Sequence, residues 1–182
     1  MRRLILQVCV LSLDGYVAEE NTGTDAFSDI EDHALEEWMV TPIRTVGTHI
    51  MGSVSYASMA GFFPTSTDIF AEPMNSIPKV VFSKSLEKAE WTDSRIASGD
   101  TVEEVKRLKR ESGGNIVAHG GALFLRSLAA LDVVDEYRLV VYPIVIGRGT
   151  ALFGGVKKPR GLTLVSSQSF LSGALGLVYH PA

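Results

Sequence analysis

At 182 residues, 46% hydrophobic and 21% charged, the chain has an ordinary globular composition and enough length to bury a core without metal or disulfide staples. Its formal net charge of −4 excludes the basic footprint that a general nucleic-acid or membrane-surface binder needs. The single cysteine, Cys9, has no intrachain partner, which points to a reducing, cytoplasmic setting, and no run approaches the roughly 20 apolar residues that cross a bilayer.

Residues 4–12 are apolar on both faces, the pattern of a central strand, and Asp14-Gly15 ends them. The run resembles a leader peptide only briefly, because Gln7 interrupts it and no small-residue cleavage site follows. Tyr16–Ala18 resumes in extended form, and residues 19–27 read as a polar loop. Ser28-Asp29-Ile30-Glu31 is a capping-box pattern that opens a helix through residue 40, with Pro42 as its expected stop.

Thr45–Met51 is the next expected strand, closed by Gly52, with a short helix over Ser53–Met59 and a helical turn near Phe70–Met74. Lys79–Phe82 is a short strand that runs into Ser83-Lys84-Ser85. Thr101-Val102-Glu103-Glu104 is a second capping box, and its helix ends near Gly113-Gly114. A strand at 115–118 passes through Gly120-Gly121 into a helix over Ala122–Ala130. Tyr137–Ile146 is a strong strand, and Thr163–Phe170 with Ala174–Tyr179 suggests a terminal antiparallel hairpin. Alternating strands and helices up to residue 146, followed by strands alone, predict one α/β domain over 1–182 with a mostly parallel sheet and an antiparallel edge.

The four histidines are scattered without ligand spacing, so no metal site is expected. Gly147-Arg148-Gly149-Thr150 begins like a dinucleotide fingerprint but lacks the third glycine and a following βαβ unit, so it reads as a turn. Three other places share one property. Gly52–Ser55, Ser83-Lys84 and Gly120-Gly121 each follow the carboxyl end of an expected strand, where ligands bind in open α/β sheets. Two of them open helices, whose first N–H groups suit phosphate. Each alone is an ordinary corner; together they suggest one long polyanionic ligand.

With Ser12–Ala18, His49–Tyr56, Lys79–Lys84, Ile116–Ala122 and Val134–Pro143 followed by Gly147–Phe153, the chain resembles the dihydrofolate reductase superfamily. It is most similar to bacterial dihydrofolate reductase family proteins and to the reductase domain of riboflavin biosynthesis. The resemblance implies a three-layer sandwich, with a mostly parallel central sheet and a C-terminal antiparallel hairpin, that binds NADPH in extended form. By position, Val10, Val17 and Ala18 contact the nicotinamide. Gly52, Ser53, Val54 and Ser55 hold phosphate from one helix start, and Gly120, Gly121, Ala122 and Leu123 from another. Ser83 and Lys84 lie near the adenosine 2′-phosphate, and the peptide between Gly120 and Gly121 is expected to be cis.

Asp32 and Glu36 stand near the position of the carboxylate that assists protonation in folate reductases; an exposed helix carboxylate is the alternative for either. His33 and Arg44 are further substrate-contact candidates, while the family position of Asp14 suggests that it ties down its own turn by local hydrogen bonds. One departure stands out: riboflavin reductases carry an acidic residue before the glycine pair, and this chain has His119. The resulting expectation is an NADPH-dependent reductase acting on a C=N or C=O bond of a small pterin- or pyrimidine-like heterocycle. A dinucleotide-binding module without turnover is the alternative. A homodimer through the C-terminal strands 137–146 and 174–179 is also expected.

Overall fold

The computed structural model describes residues 1–17 and 31–182; Ala18 and most of the Ser28–Glu31 capping pattern lie outside the described residues. Its strands are β1 (Leu4–Ser12), β2 (Tyr16–Val17), β3 (Thr48–Gly52), β4 (Lys79–Phe82), β5 (Ser94–Ile96), β6 (Ile116–His119), β7 (Glu136–Tyr142), β8 (Thr150–Ala151), β9 (Leu162–Ser169) and β10 (Leu175–Pro181). The helices are α1 (His33–Ile43), α2 (Ser53–Phe62), α3 (Ala71–Ser76), α4 (Thr101–Arg110) and α5 (Ala122–Ala130).

The main sheet runs β5-β4-β3-β6-β1-β7-β10-β9. Pairing is parallel from β5 to β7, and β10 is antiparallel to both β7 and β9. This is the mostly parallel sheet with a terminal hairpin that the alternation of elements requires. β2 and β8 form a small antiparallel flap beside β1.

Strand parity sorts the layers. Leu4, Leu6 and Val8 of β1, with Ile50, Val80 and Ala118, bury against Val105 and Leu108 of α4 and Leu125 and Leu128 of α5. The opposite face carries Met51 and Val81 against Tyr56 of α2 and Met74 of α3, while Leu35 of α1 packs with Val140 and Tyr142 of β7.

Several boundaries differ from the sequence reading. Helix α1 continues through Pro42 to Ile43. Proline removes the N–H that would reach the carbonyl of Trp38, and Arg138 Nη2 donates to that carbonyl instead at 3.4 Å. The guanidinium also lies 4.4 Å from the Trp38 ring centroid. Strand β7 stops at Tyr142 because Pro143 has no N–H for the ladder.

The cap of α4 is Asp100, one residue before the expected Thr101, and its carboxylate accepts from the N–H groups of Val102 and Glu103. Glu104 is thereby freed from the capping box. It lies buried between Arg95 at 2.7 Å and Arg107 at 2.8 Å. Its hydrogen bond with Arg107, against the opposing effect of burial, holds its carboxyl below the ordinary value. Because both arginines are half exposed, Glu104→Gln is expected to cost about 1–2 kcal/mol, less than breaking a fully buried pair. Urea denaturation at neutral pH measures it.

Candidate functional site

The carboxyl ends of β4, β3 and β6 lie side by side because those strands are neighbours in the sheet. Helix α2 starts directly from β3 at Gly52, and α5 starts from β6 through Gly120 and Gly121. Neither helix has a side-chain cap on its first turn. The two corners touch. A Cβ on Gly120 would fall 2.8 Å from Ser55 Oγ and 2.8 Å from Met59 Cε; one on Gly52 would fall 3.2 Å from Phe124 Cβ. Phe82, at the end of β4, packs on Phe124 with ring centroids 5.1 Å apart, which brings the third strand end to the same place.

The glycine corner turns without the expected cis peptide, since no cis bond occurs among the described residues. Positive φ angles of 75° at Gly120 and 76° at Gly121 do the turning, and a residue without Cβ is needed for the close approach to Ser55.

A cavity of about 550 Å³ opens beside this corner. Val10 and Val17 from the β1–β2 side, Met39 and Ile43 of α1, and Met59 of α2 line it with His119, Gly120, Gly121 and Ala122. Gln7 and Cys9 complete its β1 wall, and no Asp, Glu, Lys or Arg lines it among the described residues. A broader open hollow of about 1140 Å³ lies over Tyr56, Asn75 and Trp91. Two of its polar side chains are committed to the fold: Asn75 donates to Phe63 O and accepts from Trp91 Nε1, and Tyr56 Oη accepts from Trp91 N.

Under the cavity, four buried polar side chains cross adjacent strands on one face: Gln7 of β1, His119 of β6, His49 of β3 and Lys79 of β4. His119 stacks on His49 with centroids 4.8 Å apart. His49 Nε2 lies 3.0 Å from Pro73 O and donates to it. Burial lowers the His49 pKa to about 4, and burial together with its histidine neighbour holds His119 well below the ordinary value. Both rings are therefore neutral at pH 7. Lys79 Nζ donates to Asn75 O and Thr92 O at 3.0 Å each and sits over Trp91, while burial lowers its pKa to about 8.

The sequence-derived candidates divide in space. Val10, Val17, Gly120, Gly121 and Ala122 line the cavity, and Ser55 abuts the glycine pair. Val54 and Leu123 are exposed on the first turns of α2 and α5, next to Ser53 and Ala122. Ser83 Oγ accepts from the N–H groups of Ser85 and Leu86 in a turn, and Lys84 beside it is exposed.

Asp32 and Glu36 have other duties and do not line the cavity. Asp32 caps α1, accepting from Leu35 N at 3.2 Å and from Ser172 N at 2.9 Å. Burial opposes its charge, yet these hydrogen bonds win and keep its carboxyl below the ordinary value, the wrong direction for a proton donor at neutral pH. Glu36 faces His33 at 3.1 Å on the outer surface, and Arg44 pairs with Glu37. Asp32→Ala is expected to lower stability by about 1–2 kcal/mol, the worth of a helix cap, and to leave NADPH affinity unchanged. Parallel denaturation and fluorescence titrations check both halves.

Asp14 reaches a distant turn instead of only its own: its two oxygens accept from the N–H groups of Ile146 and Gly147. The Gly147–Thr150 stretch is that turn, leading into β8. Gln7, Met39 and Met59 join the cavity without having been candidates from sequence. A lone polar residue in an apolar strand is the available signal for Gln7; helix periodicity carries none for the methionines.

The family model of the RibD C-terminal domain matches residues 3–175. The chain belongs to that family and has the fold of a dihydrofolate-reductase-like reductase domain. Uncharacterized protein YyaP of Bacillus subtilis is similar at 31% identity, over 98% of this chain and 95% of its own. The crystal structure of a putative riboflavin biosynthesis protein from Shewanella sp. PV-4 superimposes with a TM-score of 0.78 at 20% identity, covering 99% of both chains. Dihydrofolate reductase from Enterococcus faecalis, solved with NADP(H), gives a TM-score of 0.58 at 14% identity over 98% of this chain and 96% of its own. Among the described residues no helix is long and apolar enough to cross a membrane, and no cluster of metal-ligating side chains occurs.

Proposed function

We propose that the protein is an NADPH-dependent reductase that delivers hydride to a C=N or C=O bond of a small planar heterocycle, pterin- or pyrimidine-like, in the cytoplasm. The observation that carries the reading is the convergence of the α2 and α5 starts on the rim of the cavity, with Ser55 against Gly120. Two uncapped helix N-termini offer N–H groups and positive dipole ends to one pyrophosphate. The glycine cradle fits this group, because a side chain at Gly120 would occupy the space of Ser55.

In this reading Gly52, Ser53, Val54 and Ser55 bind one phosphate through backbone N–H groups and serine hydroxyls, and Gly120, Gly121, Ala122 and Leu123 bind the next. The exposure of the Val54 and Leu123 side chains leaves that edge to backbone recognition and to cover by the dinucleotide. Lys84, with the Ser83 turn, meets the 2′-phosphate. Val10 and Val17 flank the nicotinamide ring. The cofactor supplies the hydride; the chain supplies position and an apolar wall that excludes water. With Asp32 and Glu36 holding α1, the proton comes from water.

NADPH oxidation followed by absorbance across pterins, pyrimidines and quinones tests turnover. Sustained oxidation with one class supports the reductase. Tight NADPH binding with no oxidation across the panel would favour a dinucleotide-binding module instead.

A second copy of the chain is proposed to cover β9. Strands β7 and β10 are both flanked by neighbours, so the open edge expected at 137–146 and 174–179 lies one strand further out. All eight residues of β9 are exposed, with Leu164 and Val165 each half exposed. Sedimentation at micromolar concentration should give a dimer; a monomer refutes it.

A further inference from the structure

We infer that the ring substrate enters the cavity uncharged, with no phosphate or carboxylate attached, so the protein takes neutral rings and turns away their anionic relatives. The inference rests on the reductase reading above and narrows its substrate. Away from the residues placed on the cofactor, the lining is apolar. Phe63 follows α2, Phe70 caps α3 and Met74 lies within it, and Met39 and Ile43 come from α1. Such a surface suits a flat, alkyl- or aryl-substituted ring.

The polar side chains of the lining carry no charge at pH 7. Gln7 is an amide whose Nε2 is spent on Met39 O at 3.0 Å. Burial pushes the Cys9 thiol up, away from its thiolate, and burial beside His49 keeps His119 neutral. The cations that flank the lining are engaged elsewhere. Arg44, next to Ile43, pairs with Glu37 at 2.9 Å, and Arg126, next to Leu125, lies against Gly154 and Gly155. Lys79, at the end of the polar row under the cavity, donates to Asn75 O and Thr92 O and does not line it. Residues 18–30, outside the described set, contain neither Lys nor Arg and so have no cation to add.

An anionic group brought into this cavity gives up its water and gains no counter-charge, which is the costly case of a buried ion without a partner. The starts of α2 and α5 on the rim do favour anions, and in the reductase reading the cofactor's pyrophosphate takes them. A second anion, on the substrate, is left without one.

Two matched pairs test this: pterin-6-carboxylate with its methyl ester, and orotate with methyl orotate. Each is titrated calorimetrically into the full chain saturated with 1,4,5,6-tetrahydro-NADP, a reduced cofactor analogue whose ring is uncharged and delivers no hydride. Saturation matters because without it the acid competes for the helix starts. In at least one pair the ester should bind, and its acid should bind about a hundredfold more weakly or not at all. Burial of the extra methyl accounts for only about fourfold of that gap. The ester is also the larger member, so exclusion by size gives the opposite order. Met39→Lys, which sets an ammonium in the wall, should narrow the gap by about tenfold through tighter binding of the acid.

An acid within about tenfold of its bound ester overturns the inference, as does failure of both esters to bind beside the cofactor. A gap unchanged in folded Met39→Lys overturns it too, because the preference then arises outside this cavity. Each of these results leaves NADPH binding, read separately by fluorescence, as it was. Loss of NADPH binding by the native protein strikes the reductase reading itself.

Discussion

Gly120→Ala is expected to abolish measurable NADPH binding and to lower stability by about 2–4 kcal/mol, combining left-handed backbone strain with overpacking. Gly120 has φ of +75°, and its added methyl would meet Ser55 Oγ and Met59 Cε at 2.8 Å and Ser55 Cβ at 2.9 Å. Met59 Cε is the end of a flexible side chain and can yield. Ser55 sits on the first turn of α2, so displacing it parts the two helix starts. Gly99→Ala supplies the control: its φ of +78° imposes similar strain, but nothing lies within 4 Å of the added Cβ. That variant should lose about 1 kcal/mol and keep its NADPH affinity. Denaturant unfolding and cofactor titration on both variants separate strain from site. Normal NADPH binding by Gly120→Ala would remove the glycine corner from the cofactor site.

The second large effect is acid sensitivity above the usual carboxylate range. His49 has a folded pKa of about 4 against an ordinary value of 6.5, and His119 is also held well below 6.5. The unfolded chain therefore binds these protons first. The stabilisation is complete above pH 6.5 and is lost as pH falls toward the folded values. Between pH 7 and pH 5 His49 alone should contribute a loss of about 2 kcal/mol, and His119 adds to the loss in the same direction. Carboxylates such as Asp32 and Glu104, whose folded values are depressed, act only at lower pH. Lys79, lowered from 10.5 to about 8, changes stability on the alkaline side alone. Urea midpoints at pH 7 and pH 5 should separate clearly in the native protein and less in His49→Phe, which keeps a stacked ring but removes one proton site. Equal stability at the two pH values would show that the histidines are not desolvated together.

The strand-end corners are legible in the sequence because each combines a short apolar run, glycine or serine, and a helix start in one contiguous stretch. Gly120-Gly121 and Gly52–Ser55 need only local pattern. The contact between them is not legible in that way. It depends on β3 and β6 being neighbours in the sheet, which crossover topology sets and local pattern does not.

The buried polar row is hidden for a related reason. Gln7, His49, Lys79 and His119 are scattered in sequence, and only strand parity and register bring them to one face. Read locally, Gln7 is an interruption in an apolar run and Lys79 the polar start of a strand. The role of Asp32 is likewise set by a distant partner, since its second oxygen accepts from Ser172 near the far end of the chain. Helix α1 passes its proline because Arg138, from β7, donates to the carbonyl that Pro42 leaves without an N–H. Local signals therefore locate the elements and their corners, while long-range pairing decides which side chains face the cavity.

The central claim is that the paired corners at Gly52–Ser55 and Gly120–Leu123 bind one NADPH. Equilibrium titration of the full chain with NADPH, followed by the change in nicotinamide fluorescence, tests it most directly. The expected result is saturable binding of one NADPH per chain at micromolar concentration, lost in Gly120→Ala and retained in Gly99→Ala. No binding by the native protein at millimolar NADPH would contradict it.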